Sequence, residues 1–223
     1  MRLNKFIAHA SGVSRREADS LIDAGSVLVN GKKAQLGCDI DPIDDIVFMN
    51  GKRLMMPKTS TTIMLNKPVG YVCSRNAQAK DVETVYALLP DTLKSLKTVG
   101  RLDKDSSGLI LLTDDGDLAH RLTHPSFAKN KEYVVKLDHA LAPLHQQMIS
   151  DFGIGLDDGP SKLLLERLDD NRFEFRVTMH EGRNRQIRRT FAALGYQVVS
   201  LHRTCFGPYQ LGNLGLGKWI KVE

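Results

Sequence analysis

The sequence predicts an α+β chain in two parts, a small module of two helices plus a hairpin followed by a larger domain on a mostly antiparallel sheet. Three observations predict it. Up to Gly25 apolar residues recur at helical spacing, and an Asn-Gly turn between short strand-like runs follows. The stretch Pro57-Lys58-Thr59-Ser60-Thr61-Thr62 then breaks all periodicity with polar residues. From Ile63 onward short apolar strands alternate with helices, but without the regular rhythm of a doubly wound sheet. The expected division is a module over 1–56, a linker over 57–62 and a main domain over 63–223.

Leu3, Phe6, Ile7 and Ala10 make the first ten residues an amphipathic helix with Arg2 and Lys5 toward solvent, ended at Ser11-Gly12. Ser14-Arg15-Arg16-Glu17 has the spacing of a capping box, so a second helix starts here. It carries Ala18, Leu21 and Ile22 inward and stops at Gly25. Val27-Leu28-Val29 ahead of Asn30-Gly31 predicts a hairpin, because both turn residues tolerate positive φ; Lys32 and Lys33 lie on the return strand. Residues 46–49 form the module's last strand and Asn50-Gly51 another tight turn. In the main domain the strands are expected at 63–66, 108–113, 132–137, 163–168, 173–179 and 197–201. The helices are expected at 82–89, 116–122, 143–151 and 184–194. Trp219 and the apolar residues around it close the core. The linker's length implies that the module can reorient.

With 31 basic and 26 acidic residues the net charge is +5, a modest excess that favours a polyanionic partner. Cys38, Cys73 and Cys205 are odd in number, far apart and without C-x-x-C spacing, which argues against a disulfide framework and a zinc site and fits a reducing cytoplasm. No apolar run of signal-peptide length opens the chain, and nowhere do eighteen consecutive apolar residues occur, so neither secretion nor membrane insertion is expected. His120 and His124 lack the acidic neighbour of a zinc motif. Asp114-Asp115-Gly116-Asp117 reads as a turn capping the helix behind it, not as a calcium loop. No metal or cofactor is expected.

The chemistry-bearing segment is 100–113, Gly-Arg-Leu-Asp-Lys-Asp-Ser-Ser-Gly-Leu-Ile-Leu-Leu-Thr, where a charged turn abuts the apolar strand Leu109-Ile110-Leu111-Leu112. A carboxylate on a turn held by a rigid strand is placed for chemistry. By itself the segment reads more readily as an ordinary Asp/Ser turn. Three further segments occur in order around it: Leu65-Asn66-Lys67-Pro68-Val69-Gly70, Lys131-Glu132-Tyr133-Val134-Val135, and Glu181-Gly182-Arg183-Asn184-Arg185-Gln186-Ile187-Arg188-Arg189. Together the four resemble the bacterial ribosomal RNA pseudouridine synthases of the RsuA/RluB type. The Ser-Arg-Arg-Glu-Ala stretch ahead of them is similar to the αL RNA-binding module of a small-subunit ribosomal protein.

The resemblance implies a pseudouridine synthase fold, no cofactor, and Asp103 as the catalytic carboxylate. Such a carboxylate attacks the sugar's glycosidic carbon or the uracil ring, or takes a sugar proton once the base has left. Burial penalises its charge, so it needs a cation beside it. Arg188 matches the family's buried arginine that pairs with that aspartate, and a planar guanidinium holds a carboxylate through two bonds. Tyr133 matches the family's active-site tyrosine, whose ring stacks on the target base; without the resemblance it is a strand residue in cross-strand packing. Arg101 matches the position that enters the RNA and helps expel the nucleotide, against the alternative of a turn ion pair. Lys67-Pro68 shapes the pocket floor.

Arg185 and Arg189, on a helix face with Arg188, are assigned to RNA or to structure, and Arg2, Lys5, Arg15, Arg16, Lys32 and Lys33 to RNA phosphates. The expected function is isomerisation of one uridine in ribosomal RNA, free or in an assembly intermediate, by a cytoplasmic monomer. The motif runs resemble the large-subunit members somewhat more and the total length the small-subunit members, a slight lean toward 23S over 16S. The rival is a non-catalytic RNA-binding assembly factor, for which replacement of Asp103, Tyr133 or Arg188 would be expected. A glycosidic hydrolase is a third reading, and its usual second carboxylate is not identifiable.

Overall fold

The structure is a computed structural model that describes residues 1–57, 59–75, 82–127 and 129–222. The first part contains helices α1 (Leu3–Ser11) and α2 (Arg15–Asp23) and strands β1 (Val27–Val29), β2 (Lys32–Lys33), β3 (Val47–Met49) and β4 (Lys52–Arg53). Its sheet runs β2-β1-β3-β4, all antiparallel. Asn30 (φ 51°) with Gly31 (φ 79°), and Asn50 (φ 49°) with Gly51 (φ 76°), supply the paired positive φ values that a two-residue hairpin turn requires. Ser14 and Glu17 close the capping box on α2, the Glu17 amide donating to Ser14 Oγ at 3.1 Å. Leu3, Phe6, Ile7, Ala18, Ile22, Val27 and Val47 form a core of their own.

The second part is built on strands β5 (Thr62–Lys67), β6 (Lys97–Val99), β7 (Ser107–Thr113), β8 (Lys131–Leu137), β9 (Ile154–Leu156), β10 (Gly159–Ser161), β11 (Leu164–Arg167), β12 (Glu174–Met179), β13 (Val198–Phe206), β14 (Tyr209–Gln210) and β15 (Trp219–Val222). Helices α3 (Gly116–Thr123), α4 (Pro143–Gln147) and α5 (Gln186–Ala192) accompany them. The main sheet runs β11-β12-β8-β13-β7-β5-β15, with β6 on β7 and β14 on β13, while β9 and β10 pair separately. Every pairing in it is antiparallel except β13 with β7. β7 lies inside the sheet between β13 and β5 and alternates Ile110 and Leu112 into one core with Leu109 and Leu111 into the other. Covered on both faces, it is apolar without a break, which is why its sequence reads as a continuous run. β12 shows the one-sided pattern, with Phe175, Val177 and Met179 buried between more exposed neighbours.

Where β7 meets β13, Gly108 (φ 106°) has no room for a side chain, since a Cβ would lie 2.2 Å from the Arg203 carbonyl oxygen. That close approach brings the start of β7 against β13.

Three expected helices differ. Residues 82–89 form only a 3-10 turn at Val85–Leu88, because Val85 and Tyr86 are pulled into the core beside the bridge between Val72 and Thr84. The 143–151 helix is α-helical to Gln147 and then widens into a π turn, Met148–Phe152. The 184–194 helix is shorter, as Arg185 takes a left-handed conformation (φ 47°) and forms the N-cap. The strands β6, β9, β10, β14 and β15 lie outside the expected set. Asp115 caps α3 as the sequence suggests, accepting from the amides of Asp117 (2.8 Å) and Leu118 (3.0 Å). Among the described residues no helix is long and apolar enough to cross a membrane.

Candidate active site

The turn between β6 and β7 is held from below at its backbone. Buried Cys73 receives the Leu102 amide at 3.3 Å, and the Gly70 amide donates to the Lys104 carbonyl at 2.7 Å. Lys67, with no exposed surface, donates from Nζ to the carbonyls of Ser106 (2.6 Å) and Pro68 (2.9 Å). Arg188 Nη2 donates to the Asp105 carbonyl at 2.8 Å. These ties fix the backbone on both sides of Asp103 and leave its carboxylate about one-third exposed. Burial pushes the Lys67 ammonium below its ordinary pKa, while Asp103 and Asp105 in front of it act the other way.

The Asp103 carboxylate faces a cleft of about 510 Å³. Its walls include Arg101, Lys129, Lys131, Arg183, Arg185 and Arg203, against the carboxylates of Asp103 and Glu181. Such an excess of cations draws a polyanion in. Tyr133, 8% exposed on β8, lines the same cleft and stands opposite Arg203 of β13 in register. Arg101 is exposed there, and among the described residues no carboxylate lies within 4.0 Å of it, so the turn ion pair is not formed.

The arginines around the turn are arranged differently from the sequence expectation. Arg185 Nη1 lies 3.7 Å from Asp103 Oδ2, and its two terminal nitrogens grip Asp105 at 3.0 and 2.9 Å. Arg188 Nε is 3.3 Å from Asp105 Oδ2, and its Nη1 donates to the Val198 carbonyl at 2.7 Å. Arg188 therefore stands behind the turn, outside the cleft, and pairs with Asp105 instead of Asp103. The cause is the left-handed Arg185, which starts the helix late and swings that side chain off the helical face and over the turn. Hydrogen bonds from Arg185 hold the Asp105 carboxyl below the usual carboxylate range. Burial opposes the charge of Arg188. Arg189 points elsewhere, to Asp157 (2.5 Å) and Asp158 (2.6 Å) on the β9–β10 hairpin.

Of the module's basic residues, Lys5 is engaged by Asp117 at 2.6 Å at the start of α3, and Arg2 by Asp39 at 3.3 Å. Arg15, Arg16, Lys32 and Lys33 are exposed, with no carboxylate within 4.0 Å among the described residues. None of the six lines the cleft. Sequence reasoning gave no role to Asp105, Lys131 or Arg203. An arginine in the alternation Leu201, Arg203, Cys205 of β13 was the available signal for Arg203.

A cation-lined cleft, a tethered carboxylate and a buried ring, on a mixed sheet behind a small module with exposed arginines and lysines, define an enzyme that works on nucleic acid. The chain belongs to the RNA pseudouridylate synthase family, whose model matches residues 61–193, and residues 1–46 match the S4 domain. It is an RNA pseudouridine synthase, an isomerase, carrying an RNA-binding S4 domain. An uncharacterized RNA pseudouridine synthase of Aquifex aeolicus is 35% identical over 227 residues, covering 100% of this chain and 90% of the relative. The ribosomal small subunit pseudouridine synthase A of Pasteurella multocida is 38% identical over 217 residues, covering 96% and 91%. A crystal structure of a pseudouridylate synthase superposes with a TM-score of 0.70 at 34% identity, covering 100% of this chain and 96% of that one.

Proposed function

We propose that the chain converts one uridine of ribosomal RNA to pseudouridine in the cytoplasm, acting as a monomer, with Asp103 as the nucleophilic or proton-abstracting carboxylate. The observation that carries this reading is the Asp103 carboxylate, presented to a cation-lined cleft on a backbone tied down on both sides. The reaction is a rearrangement: the glycosidic C–N bond breaks, a C–C bond forms to the same sugar carbon, and a ring proton moves to nitrogen. No redox partner or external energy is needed. Arg185 keeps positive charge beside Asp103, Arg188 and Lys67 position its turn, and Tyr133 supplies a ring for the turning base. Arg101 fits a side chain that enters the RNA as the nucleotide is extruded. In this reading residues 1–56 add affinity, 57–62 link, and 63–223 carry the chemistry.

The motif runs lean the target toward 23S rRNA, whereas the Pasteurella relative is named for the small subunit. Incubation of the purified chain with unmodified 16S and 23S rRNA, then carbodiimide modification and primer extension, separates the two. One new stop on one RNA is expected. No stop on either RNA, naked or in partly assembled particles, would leave the non-catalytic assembly factor as the reading. For the module, Arg15→Ala with Arg16→Ala is expected to weaken RNA binding and flatten its salt dependence by about 0.7 in log–log slope per lost phosphate contact. Titration at several salt concentrations checks this, and an unchanged slope removes both residues from the interface.

A further inference from the structure

We propose that Lys131 and Arg203 form a seat for an RNA backbone phosphate beside Tyr133, at the target nucleotide or its immediate neighbour. The proposal rests on the reading of this cleft as the place where uridine is bound.

Arg203 is only 3% exposed, yet its guanidinium is incompletely satisfied. Its Nε donates to the Leu109 carbonyl at 2.7 Å, while Nη2 is buried and without a hydrogen-bond partner among the described residues. A buried cationic donor left unpaired is costly, so an anion that reaches it gains a charge-assisted hydrogen bond. Lys131 lies beside it. The Phe206 ring is shared by both, with the guanidinium carbon 4.7 Å and the Lys131 Nζ 5.8 Å from its centroid. Neither has a carboxylate within 4.0 Å among the described residues. Among the described residues Lys131 Nζ makes one hydrogen bond, to the backbone carbonyl of Glu181 at 3.1 Å, while Arg183 and Gln186 both donate to Glu181 Oε1.

Two like charges sharing one ring in a partly dry wall repel each other. Burial, and then the charge of Arg203, push the Lys131 ammonium below its ordinary pKa, while the Glu181 carboxylate acts the other way. An anion between them reverses the sign of that interaction. Phosphate is the anion an RNA brings, and two cations with spare donors suit its oxygens. The placement is local to the base as well. Arg203 and Tyr133 are directly opposite on adjacent strands and line the same cleft, so the seat and the ring are one cross-strand step apart.

The test uses the full chain with uridine, uridine 5′-monophosphate and uridine 3′-monophosphate as probes, followed by NMR titration, and with RNA followed by salt-dependent binding. For the wild-type chain one monophosphate is expected to bind about tenfold more tightly than uridine. Lys131→Met should abolish that gain and lower the salt slope for RNA by about 0.7. Arg203→Lys should retain part of the gain. If Arg203→Lys does not fold, Lys131→Met decides alone, since that side chain is only half-buried. Monophosphates that bind no better than uridine, or a Lys131→Met chain with unchanged phosphate gain and slope, overturn the seat. So does a variant that loses uridine binding itself, which would put Arg203 on the base and not on phosphate. A wild-type chain that discriminates the monophosphates yet makes no pseudouridine on any RNA would leave the seat standing and remove the isomerase reading.

Discussion

Asp103→Asn is expected to lower pseudouridine formation by about 10⁴-fold or more, the scale on which enzymes lose rate when a sole nucleophile is removed. Asparagine keeps the shape and cannot supply the carboxylate's charge or basicity. The turn should survive the change. Its backbone is held by Lys67, Arg188 and Cys73, and Arg185 keeps both of its bonds to Asp105. The sacrificed contact is the long one, 3.7 Å from Arg185 to Asp103. RNA binding should be unchanged or slightly tighter, since a negative charge leaves a cleft that attracts a polyanion. Parallel measurements of modification and of filter binding on the same RNA check both halves. Normal turnover by the variant would remove Asp103 from the chemistry.

Lys67→Met is the second large effect. It leaves the carbonyls of Ser106 and Pro68 without their buried cationic donor, a loss of about 1–3 kcal/mol for each unsatisfied group. Against this, methionine no longer keeps a charge out of water, so the net loss of stability should be about 1–3 kcal/mol. Activity should fall further than stability suggests. Release of the Ser106 end lets the Asp103 carboxylate drift, and a misplacement of about 1 Å costs about 10²-fold. Pairing a thermal melt with single-turnover rates on RNA distinguishes the two, and a variant with full rate would show that the turn does not need this anchor. The pH dependence also has a sign. Lys67 titrates lower in the folded chain than in the unfolded one, so between those two values the unfolded state binds more protons and wild-type stability rises with pH. That alkaline gain should be missing from the variant.

Much of this was legible in the chain. The Asn-Gly turns, the Ser14–Glu17 capping box, the Asp115 cap and the unbroken apolar run of β7 are local devices, set by φ preference, nearby hydrogen bonding and the two-sided burial of one strand. Strands of low local signal were less so. β15 forms because its backbone completes the edge of β5, which Trp219 and its neighbours do not announce in sequence. The segment 82–89 has helical spacing, but burial of Val85 and Tyr86 draws it into a 3-10 turn.

The four ordered motifs, read in sequence, determined the enzyme class and singled out Asp103, because a motif records which side chains a chemistry requires. Which cation faces which carboxylate was decided by the tertiary structure. One left-handed residue, Arg185, redirects a guanidinium from the helical face onto the turn, and Arg188 is left to hold Asp105 from behind. The meeting of Lys131 with Arg203 was decided there too, across strands 72 residues apart in the chain. Ion pairing depends on a few ångströms and on a direction in space, and neither is fixed until β8, β13 and β7 have packed.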